Sequence, residues 1–254
     1  SNNGLSGSSA MLQGNSHGFI WRARGSLKSA YSYNAPGGRI ANTGFNETNF
    51  SGQMGLNKKW GYAHLNLSSF KNNIGLPDFS RNADGKFEDD NGAELTDKQL
   101  TNRTLFLPFQ DIRHYKVALN SHVLLGSGRL RSILAYQNNQ RRELETDRIS
   151  PSLFFDLKTY SSDFKYYFTE SNSWEPVIGL SGTLQNNKNR AEELLIPDYN
   201  SNEVGVFAYA KKTWQSTTFN LGARFDYRSI TGQQMSEDGN PVGLKWNFDH
   251  ENRK

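Results

Sequence analysis

Arginines two or four residues apart recur in three segments of this 254-residue chain, and such even spacing places side chains on one face of a β-strand. A surface of guanidinium groups binds carboxylates and phosphates, so these residues could hold acidic groups or guide an anionic substrate. The alternative is that any water-facing sheet carries such charges, paired across strands. The candidate residues are Arg22, Arg24, Arg129, Arg131, Arg224, Asp226 and Arg228.

The remaining polar residues give no catalytic pattern. The chain has no cysteine, which excludes disulfides and thiol chemistry. His114 and His122 fall on one face of a strand but roughly 26 Å apart, too far to share a metal ion. The sequence contains no nucleophile elbow, phosphate loop or HExxH motif. We therefore predict that the segment is not an enzyme and binds no metal or other cofactor.

An acidic run is the one remaining candidate for a cation site. Its carboxylates lie among Gly and Asn residues, but their spacing differs from the EF-hand consensus. An exposed acidic loop tip is the simpler interpretation, and a loose divalent site stays open as the alternative. The carboxylates are Asp84, Glu88, Asp89, Asp90, Glu94 and Asp97.

The strongest structural signal is alternation of apolar and polar residues with a period of two. In the last clear example, Phe219, Leu221 and Phe225 fall on one face, while Asn220 and Arg224 fall on the other. The pattern recurs often enough to predict about nine antiparallel strands. The segments are 19–28, 50–57, 62–68, 114–123, 129–137, 153–168, 178–184, 204–210 and 219–228.

Connection lengths indicate what kind of sheet these strands form. Short turns are predicted at 58–61, 125–128, 170–173 and 211–216, and long connections at 32–48, 72–112, 143–150 and 187–202. Short turns at one end and long loops at the other are typical of outer-membrane barrels. Several strands also exceed ten residues, enough to cross a bilayer when tilted. Aromatic residues near strand ends suit an interfacial girdle: Trp60, Tyr62, Trp174, Tyr209 and Trp214.

Composition agrees with a membrane-spanning sheet. The hydrophobic share is 35% and the mean hydropathy is −0.74, low for a compact soluble domain. A sheet with one apolar and one water-facing side needs no more apolar residues than that. The net charge of +4 is spread over the chain, so nucleic acid is not an expected partner. The predicted fold is all-β, an up-and-down antiparallel sheet forming part of a transmembrane β-barrel.

Five short stretches resemble the barrel of TonB-dependent outer-membrane receptors, especially those of Bacteroidetes-type bacteria, and they occur in the same order. Three lie early: Pro36-Gly37-Gly38 with Asn42-Thr43, then Asn73-Ile74-Gly75-Leu76-Pro77, then Pro108-Phe109-Gln110-Asp111-Ile112. A fourth is Tyr136-Gln137-Asn138-Asn139-Gln140-Arg141-Arg142-Glu143. The strongest is Leu195-Ile196-Pro197-Asp198-Tyr199, then Gly205-Val206-Phe207-Ala208, then Gly222-Ala223-Arg224-Phe225-Asp226.

The resemblance implies that residues 1–254 are a segment of a receptor barrel in the bacterial outer membrane. Full-length members take up large, scarce substrates with energy passed through TonB: ferric siderophores, haem, cobalamin or glycans. The implied partners are outer-membrane lipid, a plug domain inside a barrel of 22 strands, TonB, and a small-molecule or glycan ligand. In such a parent the listed arginines would face the plug or the substrate, and the loops 72–112 and 187–202 would carry recognition.

The ends of the chain add two expectations. The polar stretch 1–14 is interpreted as a short added or processed start. Nothing resembles a plug, and no apolar strand ending in an aromatic residue closes the chain, so plug and closing strands are expected to be absent. Two other classes of function remain open: a complete small outer-membrane barrel with a structural or adhesion role, and a soluble all-β binding module.

Overall fold

A single antiparallel sheet of eleven strands makes up most of the protein, with the strands in the spatial order β1-β2-β5-β6-β7-β8-β9-β10-β11-β12-β13. The computed structural model describes residues 3–89, 91–235 and 241–252. A two-stranded hairpin, β3-β4, and one short helix lie in the loops. The elements are β1 Ser6–Ser16, β2 Phe19–Ala30, β3 Asn34–Ala35, β4 Gly38–Arg39, β5 Phe45–Lys58, β6 Gly61–Gly75, α1 Asp97–Leu100, β7 Phe109–Leu125, β8 Gly128–Leu144, β9 Leu153–Tyr167, β10 Trp174–Asn189, β11 Tyr199–Trp214, β12 Thr217–Met235 and β13 Pro241–Asn252.

All nine strands predicted by alternation are present, as β2 and β5 to β12. The sheet also contains β1 and β13, which the sequence interpretation missed. The register between β1 and β2 runs without a break from Ser6 opposite Ser29 to Ser16 opposite Phe19. Residues 6–16 are almost entirely Gly, Ser, Asn and other small or polar types, so they show no alternation. The pairing with β2 is what makes this stretch a strand.

The predicted turns are confirmed at 58–61, 125–128 and 170–173, which connect strands directly. The turn predicted at 211–216 is shorter. Cross-strand pairing continues through Lys212 opposite Phe219 to Trp214 opposite Thr217, so only Gln215 and Ser216 turn the chain. The long connections are at the other end of the sheet, at 31–44, 76–108, 145–152 and 190–198.

Register places the apolar side chains of successive strands beside one another and so builds a continuous apolar belt. For example, Leu65 pairs with Leu119, which pairs with Leu134 on the next strand. The larger members of the belt expose between 36% and 74% of their surface. We define the belt by Phe19, Trp21, Leu27, Phe50, Met54, Leu56, Leu67, Tyr115, Val117, Leu119, Leu134, Tyr160, Ile178, Leu180, Leu184, Val204, Val206, Phe219, Leu221, Phe225 and Tyr227.

Two sequence interpretations of side-chain direction need correction. Within β9 the alternation is unbroken, so Leu153, Phe155 and Leu157 lie on the face opposite to Phe164, rather than continuing its apolar row. Of the five proposed girdle residues, Tyr62 and Tyr209 pair with His122 and Gly222 on the polar face. Trp174 and Trp214 lie on the belt face at the short-turn end.

Conventional hydrophobic packing is found in two small clusters at the long-loop end. In one, Ala41 of the loop 31–44 is buried together with Leu95 and Leu100 of the loop 76–108. Three phenylalanines of the loop 76–108 pack against them: Phe79, Phe87 and Phe106. In the other, Leu105, Phe109 and Leu144 are buried together, with Leu107 packed on them. The loops therefore fold against one another and give the sheet an ordered cap.

Candidate functional site

The face opposite the belt is polar, and on β10 and β11 it is the more covered of the two. Along β11, Ser201 and Gly205 are buried, while Asn202 and Val204 between them and Val206 just beyond are exposed. A soluble sheet buries its apolar face and exposes its polar one. On these two strands the arrangement is reversed, with the polar positions the more covered and the apolar ones open, as expected for a sheet with lipid on one side and water on the other.

All seven candidate residues lie on this polar face, but they form three separate groups rather than one site. Arg22 and Arg24 are on β2, beside one edge of the sheet. The next two arginines are on β8, in the middle. Arg129 lies over the ring of Tyr167 at 4.9 Å, and Arg131 pairs in register with Lys165. The register is consistent with the prediction that all seven residues lie on one polar face. It does not bring them into one anion site, because the three groups lie several strands apart.

The third group, on β12, is the most organised. Arg224 Nε donates to Asp226 Oδ2 at 2.7 Å, and its terminal nitrogen donates to Ser181 Oγ at 2.9 Å, two strands away. The pair lies over Gly205, where a side chain would collide with both partners. Arg228 Nε donates to Ser201 Oγ at 3.4 Å. The contact between Arg224 and Asp226 is of the kind expected under the alternative interpretation, in which the charges of a water-facing sheet are simply paired with one another.

Sequence reasoning missed the aromatic centre beside this group. The ring of Phe207 covers Gly179 on the neighbouring strand. The Nζ atom of Lys165 lies 6.0 Å and the guanidinium of Arg224 lies 5.9 Å from the ring centroid. Cations at such distances from an aromatic face are weakly attracted to it. A glycine directly opposite an aromatic residue in the next strand could have indicated this packing. The sequence does not show which residues are opposite, so the signal can be used only when the register is known.

The long loops are held by a buried asparagine. Asn42 is 1% exposed, and its amide donates to the carbonyls of Leu76 at 2.9 Å and Pro108 at 2.6 Å. Its side-chain oxygen accepts from the N–H of Phe106 at 3.1 Å. One side chain therefore ties the loop 31–44 to both ends of the loop 76–108. Asn42 was noted in the sequence only as part of a family-like stretch.

Arginines and an aromatic ring add a second tie between these loops. Arg103 donates to the carbonyls of Ser29 and Gly4, each at 2.6 Å. Its guanidinium and that of Arg39 lie 5.8 and 5.0 Å from the centroid of the Tyr31 ring. Arg39 also reaches Asp97 at 3.5 Å. The tip of the loop 76–108 is thus anchored by charged groups as well as by its small apolar cluster.

The acidic run proves to be a structured loop tip. The Asp89 carboxylate accepts from the backbone N–H groups of Asn91 and Ala93 at 3.0 and 2.9 Å. Glu94 pairs with Lys86 and raises the pKa of that lysine. Asp90 lies outside the described residues. Within 3–89, 91–235 and 241–252, no group of three or more potential ligands has the geometry of a metal site.

The loop 190–198 is closed by Asp198. Its carboxylate accepts from the backbone N–H of Asn189 at 2.7 Å and from Lys188 Nζ at 2.9 Å. Burial by itself would raise the pKa of Asp198, but the Asn189 N–H and Lys188 together lower it below its ordinary value. Leu195 and Ile196, beyond this clamp, are 70% and 45% exposed. The loop therefore presents apolar side chains outward from a charged base.

Helices contribute nothing to membrane crossing in the part of the chain that is described, since none there is long and apolar enough to span a bilayer.

One family model, described as deoxyribodipyrimidine photo-lyase-related protein, matches residues 201–254. This is about a fifth of the chain, and the described residues within it belong mainly to β11, β12 and β13. So short a match does not place the whole chain in that family. No curated protein matches the sequence.

Solved structures give a match over nearly the whole chain. The FrpB iron transporter of Neisseria meningitidis (F3-3 variant) is similar with a TM-score of 0.69 and 12% identity, over 98% of this chain and 42% of that one. The ferric yersiniabactin uptake receptor FyuA of Yersinia pestis is similar with a TM-score of 0.55 and 14% identity, over 97% of this chain and 40% of that one. Both are TonB-dependent outer-membrane transporters, and the chain spans about two fifths of their length. The chain therefore has the fold of a section of a TonB-dependent transporter barrel.

Proposed function

We propose that the chain forms part of the barrel wall of a receptor in the bacterial outer membrane. In the intact protein this receptor takes up a large, scarce substrate with energy passed through TonB. The observation that carries the proposal is the exposed apolar belt running across the strands from β2 to β12. A water-soluble protein has no use for so large an apolar surface left open.

The dimensions of the belt support a membrane position. On β12 it runs from Phe219 to Tyr227, eight residue steps, or about 27 Å along the strand. With the usual strand tilt this corresponds to roughly 20 Å of height, close to the apolar band of outer-membrane barrels. Tyrosines mark its long-loop border, where Tyr136 and Tyr160 pack with their ring centroids 4.8 Å apart. Tyrosine is common at the membrane–water interface, because its ring is apolar and its hydroxyl can hydrogen-bond to water.

A soluble binding module is disfavoured by the architecture. In a β-sandwich the apolar face of one sheet is buried against a second sheet about 10 Å away. Among the described residues the belt has no such partner layer, and Leu221 remains 74% exposed. The same eleven strands are compatible with a section of a larger barrel, since the two similar receptors are more than twice as long.

The loops and the similar structures support a proposal for the substrate class. One similar protein is an iron transporter and the other a ferric yersiniabactin receptor. We propose that this receptor also takes up an iron chelate. The long loops at 31–44, 76–108 and 190–198 lie together at one end of the sheet, and the bases of the polar face would guide an anionic chelate inward. A plug domain and TonB are the further partners proposed for the intact protein.

Two measurements test this proposal. Membrane fractionation of cells expressing the whole protein should recover it in the outer membrane, and a strain lacking it should lose growth on one ferric chelate under iron limitation. Removal of TonB should cause the same loss. Haem, cobalamin and glycan media serve as controls for the substrate class. Recovery of the whole protein as a detergent-free monomer would contradict the membrane assignment, and unchanged growth on every ferric source would contradict the substrate.

A further inference from the structure

Basic side chains are concentrated on the outward face of the sheet, just beyond the tyrosine border of the apolar belt. On β7, Arg113 is two residues beyond Tyr115, and on β9, Lys158 is two residues beyond Tyr160. Even spacing keeps each base on the same face as its tyrosine, about 7 Å further along the strand. We call these bases the basic rim: Lys71, Arg113, Arg142, Lys158, Lys188 and Arg190.

Buried carboxylates hold part of the rim in place. Asp111 is 7% exposed and accepts from Arg113 Nε at 3.0 Å, while Arg142 Nη1 lies 3.9 Å from the same carboxylate. On the next strands, Asp156 is 6% exposed and pairs with Arg190 at 3.2 Å. Fixed guanidinium groups lose little further freedom when they bind an anion. The rim is thus a preorganised cationic surface.

Some basic groups of the rim are not used in ion pairs and can bind an additional anion. Lys71 and Lys158 have no carboxylate within ion-pair distance in the described part of the chain, and Lys71 is exposed. Arg142 Nε is buried and makes no hydrogen bond to any described residue, while its guanidinium lies 4.5 Å from the Phe154 ring centroid. These groups face the level where lipid headgroups lie if the belt is in the membrane.

Directly below the rim, the belt contains a shallow groove. Ser162 and Gly182 pair across β9 and β10 and leave a low strip. The strip is flanked by Leu134, Tyr160, Leu184 and Val204, which with Ser162 and Gly182 line one surface depression. Its walls are aliphatic and aromatic, and it is open outward. This shape and chemistry fit a single hydrocarbon chain, and Lys158 stands above its Tyr160 end.

We propose that the outward face binds a phosphorylated lipid of the outer leaflet, with headgroup phosphate on the basic rim and one acyl chain in the Ser162–Gly182 groove. This inference rests on the proposed membrane location. The groove favours a lipid over free phosphate as the ligand, because inorganic phosphate has no apolar part that could bind there. Among the described residues, the opposite border of the belt has no such rim: its Lys58 and Lys212 donate to the carbonyls of His17 and Asn172 at 2.9 and 2.6 Å.

The test compares three probes on the whole protein in a neutral detergent. Native mass spectrometry would measure binding of dimyristoyl phosphatidic acid, which has phosphate and chains. Dimyristoylglycerol, which has only chains, and inorganic phosphate are the other probes. The variants are Lys71→Gln with Lys158→Gln, and Ser162→Leu, which fills the groove with a residue suited to the belt. The matched control is Lys58→Gln with Lys212→Gln at the other border.

We expect tight binding of phosphatidic acid only. The rim variant should weaken it about fivefold for each lysine, the factor equivalent to about 1 kcal/mol per basic residue near an anionic lipid surface. Ser162→Leu should weaken it as well, and the control pair should not. Equal weakening by rim and control pairs would overturn the proposal, as would inorganic phosphate competing at equal concentration. A protein that folds and inserts into the membrane but binds no phosphatidic acid would refute the lipid site alone; a protein that does not insert would refute the proposed function too.

Discussion

The ring of Phe207 on β11 occupies the space in which a side chain at Gly179 on β10 would begin. The two residues are directly opposite in the register, so the glycine provides the room that the ring needs. Lys165 Nζ and the Arg224 guanidinium lie 6.0 and 5.9 Å from the centroid of the ring. A side chain at position 179 would therefore displace the ring that both cations contact.

Gly179→Ala should destabilise the folded sheet, because its Cβ overlaps the Phe207 ring. Overpacking of this kind costs about 1–3 kcal/mol. Urea unfolding of the whole protein, followed by heat-modifiable migration in gels, would measure the loss. Adding Phe207→Ala should restore much of it. Gly222→Ala on the same face is the control, since its nearest neighbours would be 3.5 Å away; equal stability of the two alanine variants would contradict the packing argument.

Leu221→Arg should impair barrel assembly, because it places a charge in the apolar belt at a cost of about 2–4 kcal/mol near the membrane centre. Leu221 is 74% exposed on the belt face, whereas the adjacent Asn220 lies on the polar face and accepts from the Tyr209 hydroxyl at 2.6 Å. Asn220→Arg should therefore be tolerated. The measurement is the amount of folded protein in the outer membrane.

Cysteine labelling checks the same register without adding charge. In single-cysteine variants of the whole protein, a water-soluble maleimide should label position 220 and spare position 221. Since a shift of one residue reverses every side chain of a strand, the opposite labelling pattern would show that the assigned faces are exchanged.

Asn42→Ala should loosen the loop 76–108 while leaving the sheet intact. It removes the donor shared by the Leu76 and Pro108 carbonyls and the acceptor of the Phe106 N–H. Unsatisfied buried groups cost about 1–3 kcal/mol each. Limited proteolysis should cut this loop faster than in the wild type, with unchanged heat modifiability. Asn91→Ala at the exposed tip of the same loop is the control; similar cleavage of both variants would argue against the anchoring role.

Acid should release the loop 190–198. The folded-state pKa of Asp198 lies below its ordinary value of 3.8, so its contribution to stability is present above that value and is lost as the pH falls through the folded-state pKa. Amide hydrogen exchange at Asn189, corrected for intrinsic rates, should therefore accelerate below about pH 4. Asp198→Asn should remove this step. A variant and a wild type with the same profile would show that Asp198 does not control the loop.

The sequence by itself determined the number of the inner strands, the faces of all of them except the first half of β9, and the end at which the long loops lie. Period-two alternation is a local property, so segments such as 219–228 reveal their two faces without any knowledge of neighbours. The seven charged candidates fall on one polar face for the same reason. The resemblance to TonB-dependent receptors agreed with the fold, because short motifs and their order along the chain are also properties of the sequence itself.

Only the tertiary structure decided what depends on a neighbouring strand. Ser6–Ser16 has no pattern of its own and is a strand because β2 pairs with it. Arg224 is held by Asp226 and Ser181, while Arg22 lies at the far side of the sheet. The spacing of two residues is the same in both segments, so the sequence could not show this difference. Asn42 became the anchor of two loops through partners 34 to 66 residues away. Register and loop closure bring together residues that are distant in sequence, and local pattern carries no information about those distances.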